Sequence, residues 1–224
     1  MIEKLLIANR GEIALRILRA CRELGIETVA VYSEGDKDAL YLRHANEAIC
    51  IGPAASNRSY LDVPAIISAA EIADVEAIVP GYGFLAENAQ FASAVRAMGL
   101  SFIGPSVEHL RMFGDKLSAK AAAKAAGLPL LEGSEGAVQS VEEAIVAARR
   151  AGFPVMLKAA GGGGGKGMRV VESEDEMERI FAIAQAESRA AFGNGAVFIE
   201  RFLRRPRHVE VQVAGDGRGG GVHV

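Results

Sequence analysis

Apolar and polar positions follow two rhythms along this chain. Short β-branched and aliphatic runs at residues 4–8, 28–32, 48–51, 77–79 and 101–103 read as buried strands. Between them the apolar residues recur at helical spacing. Ile13, Ile17, Cys21 and Leu24 fall on one face, and Gly25 follows as a left-handed stop. Phe91, Val95 and Met98 repeat the design before Gly99. Strands alternating with helices through short connections predict a parallel sheet covered by helices. Residues 1–114 therefore read as a doubly wound α/β domain.

The second half is built differently. Residues 115–130 form an Ala- and Lys-rich helical linker, broken at Gly127-Leu128-Pro129 and followed by a Gly/Ser stretch at 133–136. A domain boundary is expected there, with a second unit over 131–203 and the first strands of a third over 204–224. Ser140 with Glu143 predicts a capped helix running to about Arg150 and closed by Gly152. Strands are expected at 154–160 and 168–171, on either side of a glycine run. Ser173 with Glu176 predicts another cap, for a helix whose Met177, Ile180, Phe181 and Ala184 share a face. A strand follows at 196–200. His-Val-Glu-Val-Gln-Val at 208–213 predicts a half-buried strand, Asp216-Gly217 a hairpin turn, and 222–224 the return strand, with an open edge that invites aggregation.

Composition narrows the class. The 224 residues are 50% hydrophobic and 24% charged, a folded-protein balance. With 25 basic and 28 acidic residues there is no general pull towards nucleic acid. No run approaches the ~18 apolar residues of a membrane span, and Ile2-Glu3-Lys4 starts a strand and not a signal peptide. Cys21 and Cys50 lie in apolar surroundings without a CxxC, so they read as buried free thiols of a cytoplasmic protein. No Ser-His-Asp triad or metal cluster is visible, and His44, His109 and His223 stand alone.

Glycine is over-represented, at 26 residues, and five are consecutive at 161–165, ahead of Lys166-Gly167. Successive glycines can aim several backbone N–H groups into one concavity that suits a phosphate. The segment is no P-loop, because Ala160 and Gly167 stand where that motif needs Gly and Ser/Thr. Gly162-x-Gly164-x-x-Gly167 matches the dinucleotide fingerprint only formally, since a strand and not a helix follows. A glycine hairpin closing over phosphates fits better than a linker, given the strands and lysines beside it.

Several charged residues could meet such a nucleotide. Lys158 sits inside an apolar strand, where an ammonium is costly unless it meets an anion; an edge lysine reaching to solvent is the alternative. Lys116 alone reads as a solvated helix-start residue, and His208 alone as structural. Glu200-Arg201-Phe202-Leu203 follows a strand as a hinge whose backbone groups could pair with a flat base edge. Arg204, Arg205 and Arg207 read as a solvated turn, without the aromatic residues of a nucleic-acid patch.

Taken together these motifs resemble the biotin carboxylase component of biotin-dependent carboxylases, of ATP-grasp fold, and most of all the separate bacterial subunit of acetyl-CoA carboxylase. The resemblance covers the whole chain. It is carried by Ile7-Ala8-Asn9-Arg10-Gly11-Glu12-Ile13-Ala14, by Pro80-Gly81-Tyr82-Gly83-Phe84-Leu85 with Glu87-Asn88-Ala89, and by Phe102-Ile103-Gly104-Pro105 with Gly114-Asp115-Lys116. It continues through 158–171, Glu200-Arg201-Phe202-Leu203 and Pro206–Val213. The resemblance implies that Lys116 and Lys158 bind ATP phosphates, that Gly164 and Gly165 close over them, that Glu200, Arg201, Phe202 and Leu203 hold adenine, and that His208 contacts the nucleotide. It implies activation of bicarbonate by ATP with Mg²⁺, then carboxylation of biotin on a biotin carboxyl carrier protein. A carboxyltransferase component and a homodimer are implied as well, feeding malonyl-CoA and fatty acid synthesis.

The chain departs from the family in detail and in extent. Val79 stands where His is common, Lys166 where Arg is, and Arg201 where Lys is usual. Members run to about twice this length, and their Mg²⁺-holding acidic pair, bicarbonate-binding arginine region and activating base lie in the part beyond residue 224. The expectation is an incomplete ATP-grasp domain that binds nucleotide weakly without turnover. Two other readings compete: a non-catalytic assembly module, and another ATP-grasp ligase such as a carbamoyl-phosphate or purine-pathway enzyme. The final acceptor stays open between acetyl-CoA, pyruvate, propionyl-CoA and methylcrotonyl-CoA.

Overall fold

The first strand has no solvent face: neighbouring Leu5 and Leu6 point to opposite sides of it, and both are buried. In the computed structural model, which describes residues 2–159, 168–192 and 195–223, the chain forms two compact units, Met1–Ala126 and Gly127–Val224. In the first, β1 (Lys4–Ile7), α1 (Gly11–Leu24), β2 (Glu27–Tyr32), β3 (Glu47–Cys50), α2 (Val63–Ile72), β4 (Ala77–Val79), α3 (Ala89–Ala97), β5 (Ser101–Phe102), α4 (Val107–Gly114) and α5 (Lys116–Ala125) follow in order. The strands form an all-parallel sheet in the order β3-β2-β1-β4-β5. The doubly wound α/β class expected from the alternation is the one observed. Leu6, Val29, Val31 and Ile78 pack with α2, α3 and α4 on one side. Leu5, Ile7, Ala30 and Ala77 pack with α1 on the other.

Two details differ from the sequence pattern. The buried stripe of α1 is Ala14, Leu18 and Cys21, while Leu24 is 71% exposed. At 3.6 residues per turn Leu24 lies roughly 100° round from that stripe, so the last turn carries it to solvent. Cys50 is also exposed, because β3 is the edge strand and is mostly uncovered; only Cys21 is buried. Burial pushes the Cys21 thiol pKa up, as expected of an inert core cysteine.

The second unit holds α6 (Val141–Ala151), β6 (Val155–Ala159), β7 (Met168–Val171), α7 (Met177–Phe192), β8 (Val197–Arg201), β9 (Val213–Gly215) and β10 (Gly221–His223). An antiparallel sheet in the order β7-β6-β8 buries Val155, Leu157, Val171, Val197 and Ile199 against α6 and α7. Met177, Ile180, Phe181 and Ala184 form the expected face of α7. The Ser140 hydroxyl accepts from Glu143 N–H at 3.2 Å, and the Glu143 carboxylate accepts from Gln139 N–H at 2.8 Å. Ser173 makes no such cap. A 3₁₀ turn at Glu174–Glu176 precedes α7, and Glu176 instead accepts from Glu172 N–H.

The segment 208–213 is not the half-buried strand its alternation predicts. Only Val213 enters a strand, and Val209, Val211 and Val213 are all exposed. Alternation makes a two-faced strand, but a face is buried only under another layer, and among the described residues none covers it. The hairpin turn is present. The Asp216 carboxylate accepts from Arg218 and Gly220 N–H, and β10 pairs antiparallel with β9.

Candidate nucleotide site

The register of the three-stranded sheet decides which side chains share its second face. Lys158 stands opposite Phe198 and Met168, and Met156 opposite Glu200 and Val170. Side chains alternate across a sheet, so these six project away from α6 and α7. Lys158 and Glu200 are diagonal neighbours there, and the ammonium of Lys158 donates to the Glu200 carboxylate in a short ion pair. The Glu200 side chain is 5% exposed and that of Lys158 27%, so the cation is the outer partner. Val155, Leu157, Val197 and Ile199, on the other face, are fully buried.

The hinge follows β8. Arg201 N–H donates to Glu132 O at 2.8 Å and Phe202 N–H to Pro154 O at 2.9 Å. Two of the backbone donors expected to be open to a base edge are therefore engaged within the unit. Leu203 is exposed and Phe202 half-buried. His208 is exposed and pairs with Glu210 at 2.8 Å. Arg204, Arg205 and Arg207 are exposed, and Arg204 reaches Glu172. Lys116 opens α5, whose N-cap Asp115 accepts from Ser118 N–H at 2.8 Å; the Lys116 side chain lies outside the described part. Gly164 and Gly165, with the rest of the glycine run, lie outside the described residues. The described geometry thus brings Lys158 and Glu200 together, puts the hinge at the end of the same strand, and leaves His208 on an exposed segment.

A second cluster was missed by the sequence reading. It lies in the first unit, where β1 and β4 are neighbours and the strand order reverses, the place at which open parallel sheets form a crevice. Asn9 Nδ2 donates to Pro80 O at 2.7 Å and to Tyr82 O at 2.8 Å, which ties the Asn-Arg-Gly-Glu motif to the Pro-Gly-Tyr-Gly motif. A side chain at Gly81 would meet Ile13 Cγ1 at 2.9 Å. Arg10 forms a two-pronged pair with Asp36, whose carboxylate also accepts from Tyr60 Oη at 2.7 Å and Ser33 Oγ at 3.1 Å. Tyr60 stacks on Phe84, at φ +39°, with ring centroids 5.0 Å apart. The Arg10 guanidinium holds the Asp36 carboxyl below the usual carboxylate range, and the Tyr60 and Ser33 hydrogen bonds add to this against the effect of burial. Burial pushes the Tyr41 and Tyr60 hydroxyls up.

That network gives a pH prediction. Asp36 is depressed in the folded state, so its contribution to stability is complete above the ordinary Asp range near ~3.9 and is lost as pH falls through the depressed value. Asp36→Asn is expected to lower stability at neutral pH by about 1–2 kcal/mol, given a half-exposed arginine partner. Melting curves from pH 7 to pH 3 test this: the gap between wild type and variant closes on the acid side, and a gap that stays constant contradicts it.

Residues 1–110 match the family described as biotin carboxylase, N-terminal domain, and residues 115–224 match carbamoyl-phosphate synthase L chain, ATP binding domain. The biotin carboxylase of Pseudomonas aeruginosa is 56% identical over 225 aligned residues, covering 100% of this chain and 50% of that protein. The chain belongs to the biotin carboxylase family. The second description names the ATP-binding domain after carbamoyl-phosphate synthase, while the similarity to biotin carboxylases runs across both halves of the chain. The solved biotin carboxylase–beta-gamma-ATP complex from Campylobacter jejuni is 52% identical with a TM-score of 0.86, over 100% of this chain and 50% of that one. The biotin carboxylase domain dimer of Hydrogenobacter thermophilus 2-oxoglutarate carboxylase, solved with MgADP, ADP and bicarbonate, is 44% identical with a TM-score of 0.83, over 100% and 49%. The chain spans about half the length of the curated relatives it matches.

Proposed function

We propose that this chain is the nucleotide-binding half of a biotin carboxylase, in which ATP activates bicarbonate and biotin on a carrier protein is then carboxylated. The observation that carries this reading is the Lys158–Glu200 pair on the sheet face turned away from α6 and α7, beside the hinge. Lys158 and Lys116 bind the phosphates, Gly164 and Gly165 close over them, Glu200, Arg201, Phe202 and Leu203 hold adenine, and His208 contacts the nucleotide. With the Arg201 and Phe202 N–H groups engaged, adenine is left to the remaining backbone groups of the hinge. Fixed ammonium groups stabilise charge on the transferring phosphoryl without reorganisation. Among the described residues no group of three or more His, Cys, Asp or Glu assembles that could hold a metal.

The rest of the assignment belongs to the same proposal. The domain boundaries are 1–114, 115–130, 131–203 and 204–224. The partners are a biotin carboxyl carrier protein, a carboxyltransferase component and a second copy of the full-length protein, in the cytoplasm, with acetyl-CoA the final acceptor and malonyl-CoA for fatty acid synthesis the product. Free Cys21 and Cys50 suit a reducing compartment. Purified as the 224-residue chain, the protein is expected to bind ATP but not to cleave it in response to biotin and bicarbonate. Calorimetric titration with ATP and a phosphate-release assay test the two halves of that statement. Biotin-dependent phosphate release would overturn the second half, and absence of ATP binding would overturn the first.

A further inference from the structure

The Glu200 carboxylate is an odd choice for a residue whose neighbours would meet the most anionic part of a nucleotide. It is almost wholly buried, on a face otherwise made of Met156, Val170, Phe198, Met168 and Lys158. A buried carboxylate is costly unless a cation and hydrogen bonds compensate it, and Lys158 supplies the cation. The exposure gradient matters more than the pairing. With the carboxylate at 5% and the lysine at 27%, the pair turns its positive end outward. A lysine ammonium has three donors, so one bond to Glu200 leaves others for an incoming anion. A free lysine stem would otherwise sample many rotamers and lose that freedom on binding.

We propose that Glu200 is a positioning residue: its side-chain carboxylate anchors the Lys158 ammonium, on the sheet face turned away from α6 and α7, in the orientation that receives a nucleotide phosphate. This rests on the nucleotide reading above and assigns Glu200 a task beyond holding adenine. Arg201, two positions beyond Ile199 and on the same face as it, is exposed on the side opposite Glu200 and cannot substitute as the partner.

A double-mutant cycle tests this, with ATP and adenosine as the titrated probes and a melting curve for each variant. Glu200→Gln keeps the shape and a hydrogen-bonding oxygen but removes the charge. It is expected to weaken ATP binding by about 5- to 10-fold when Lys158 is present, and by less than about twofold in a Lys158→Met background. The loss should be larger for ATP than for adenosine, which offers Lys158 no phosphate. Glu200→Asp should recover part of the loss. An equal loss in both backgrounds would show a merely structural role and overturn the proposal. Unchanged or tighter ATP binding by Glu200→Gln, with Lys158→Met still impaired, would overturn it while leaving the nucleotide reading intact. If Lys158→Met binds ATP normally, both fall together.

Discussion

Replacing Lys158 by methionine is expected to weaken ATP binding by about 10- to 100-fold, the usual worth of one charge-assisted bond to a phosphate. Methionine retains most of the stem that packs beside Met156 and Met168, so the change isolates the ammonium. The substitution has a second cost. Glu200 keeps its buried position but loses its bond to the Lys158 ammonium, and the unit should lose about 1–3 kcal/mol of stability at neutral pH. Titration of the variant with ATP and with adenosine separates the two effects. A lost phosphate contact lowers ATP affinity selectively, while general damage lowers both. ATP affinity within twofold of wild type would remove Lys158 from the phosphate site.

The same pair shows where sequence reasoning reached its limit. Lys158 stood out because an ammonium inside an apolar strand needs an anion. That the resident anion is Glu200, 42 positions along the chain, depends on register: antiparallel pairing with Met156 opposite Glu200 puts both on one face as diagonal neighbours. The Arg10–Asp36–Tyr60 network was illegible for a related reason. Its members are separated by 26 and 24 positions, and β-strand order alone brings the loops after β1 and β2 side by side. The α/β class, by contrast, was written in local periodicity. Fully apolar strands between amphipathic helices admit few arrangements besides a covered parallel sheet. Alternation at 208–213 misled because it reports which side of a strand is apolar, not whether another layer covers it. Glycines 164 and 165, proposed to close over the phosphates, were legible as a pattern but lie outside the described residues.

Among the described glycines of the second unit, Gly133 lies closest to neighbouring backbone. The Gly/Ser stretch read from sequence as a domain boundary runs along β8 as an irregular edge. Gly133 bridges to Glu200, Ser134 N–H donates to Ile199 O at 2.8 Å, and Ile199 N–H donates to Ser134 Oγ at 3.0 Å. A Cβ at residue 133 would stand 2.2 Å from Ile199 O and 3.1 Å from Glu200 Cα, with backbone on the other side that cannot rotate away. Gly133→Ala must therefore push the segment off β8, breaking those bonds and the Arg201 N–H bond to Glu132 O. The expected cost is about 3 kcal/mol or more, since overpacking and loss of buried hydrogen bonds add. In a unit of this size that corresponds to roughly 10 °C or more in Tm. Because the strand that loses this edge holds Glu200 and leads into the hinge, ATP affinity should fall with stability, and saturating ATP should recover part of the Tm loss by mass action. Scanning calorimetry with and without ATP measures both. A Tm within about 2 °C of wild type would show that the edge tolerates a methyl group, and that the close approach at Gly133 is not what fixes the strand carrying Glu200.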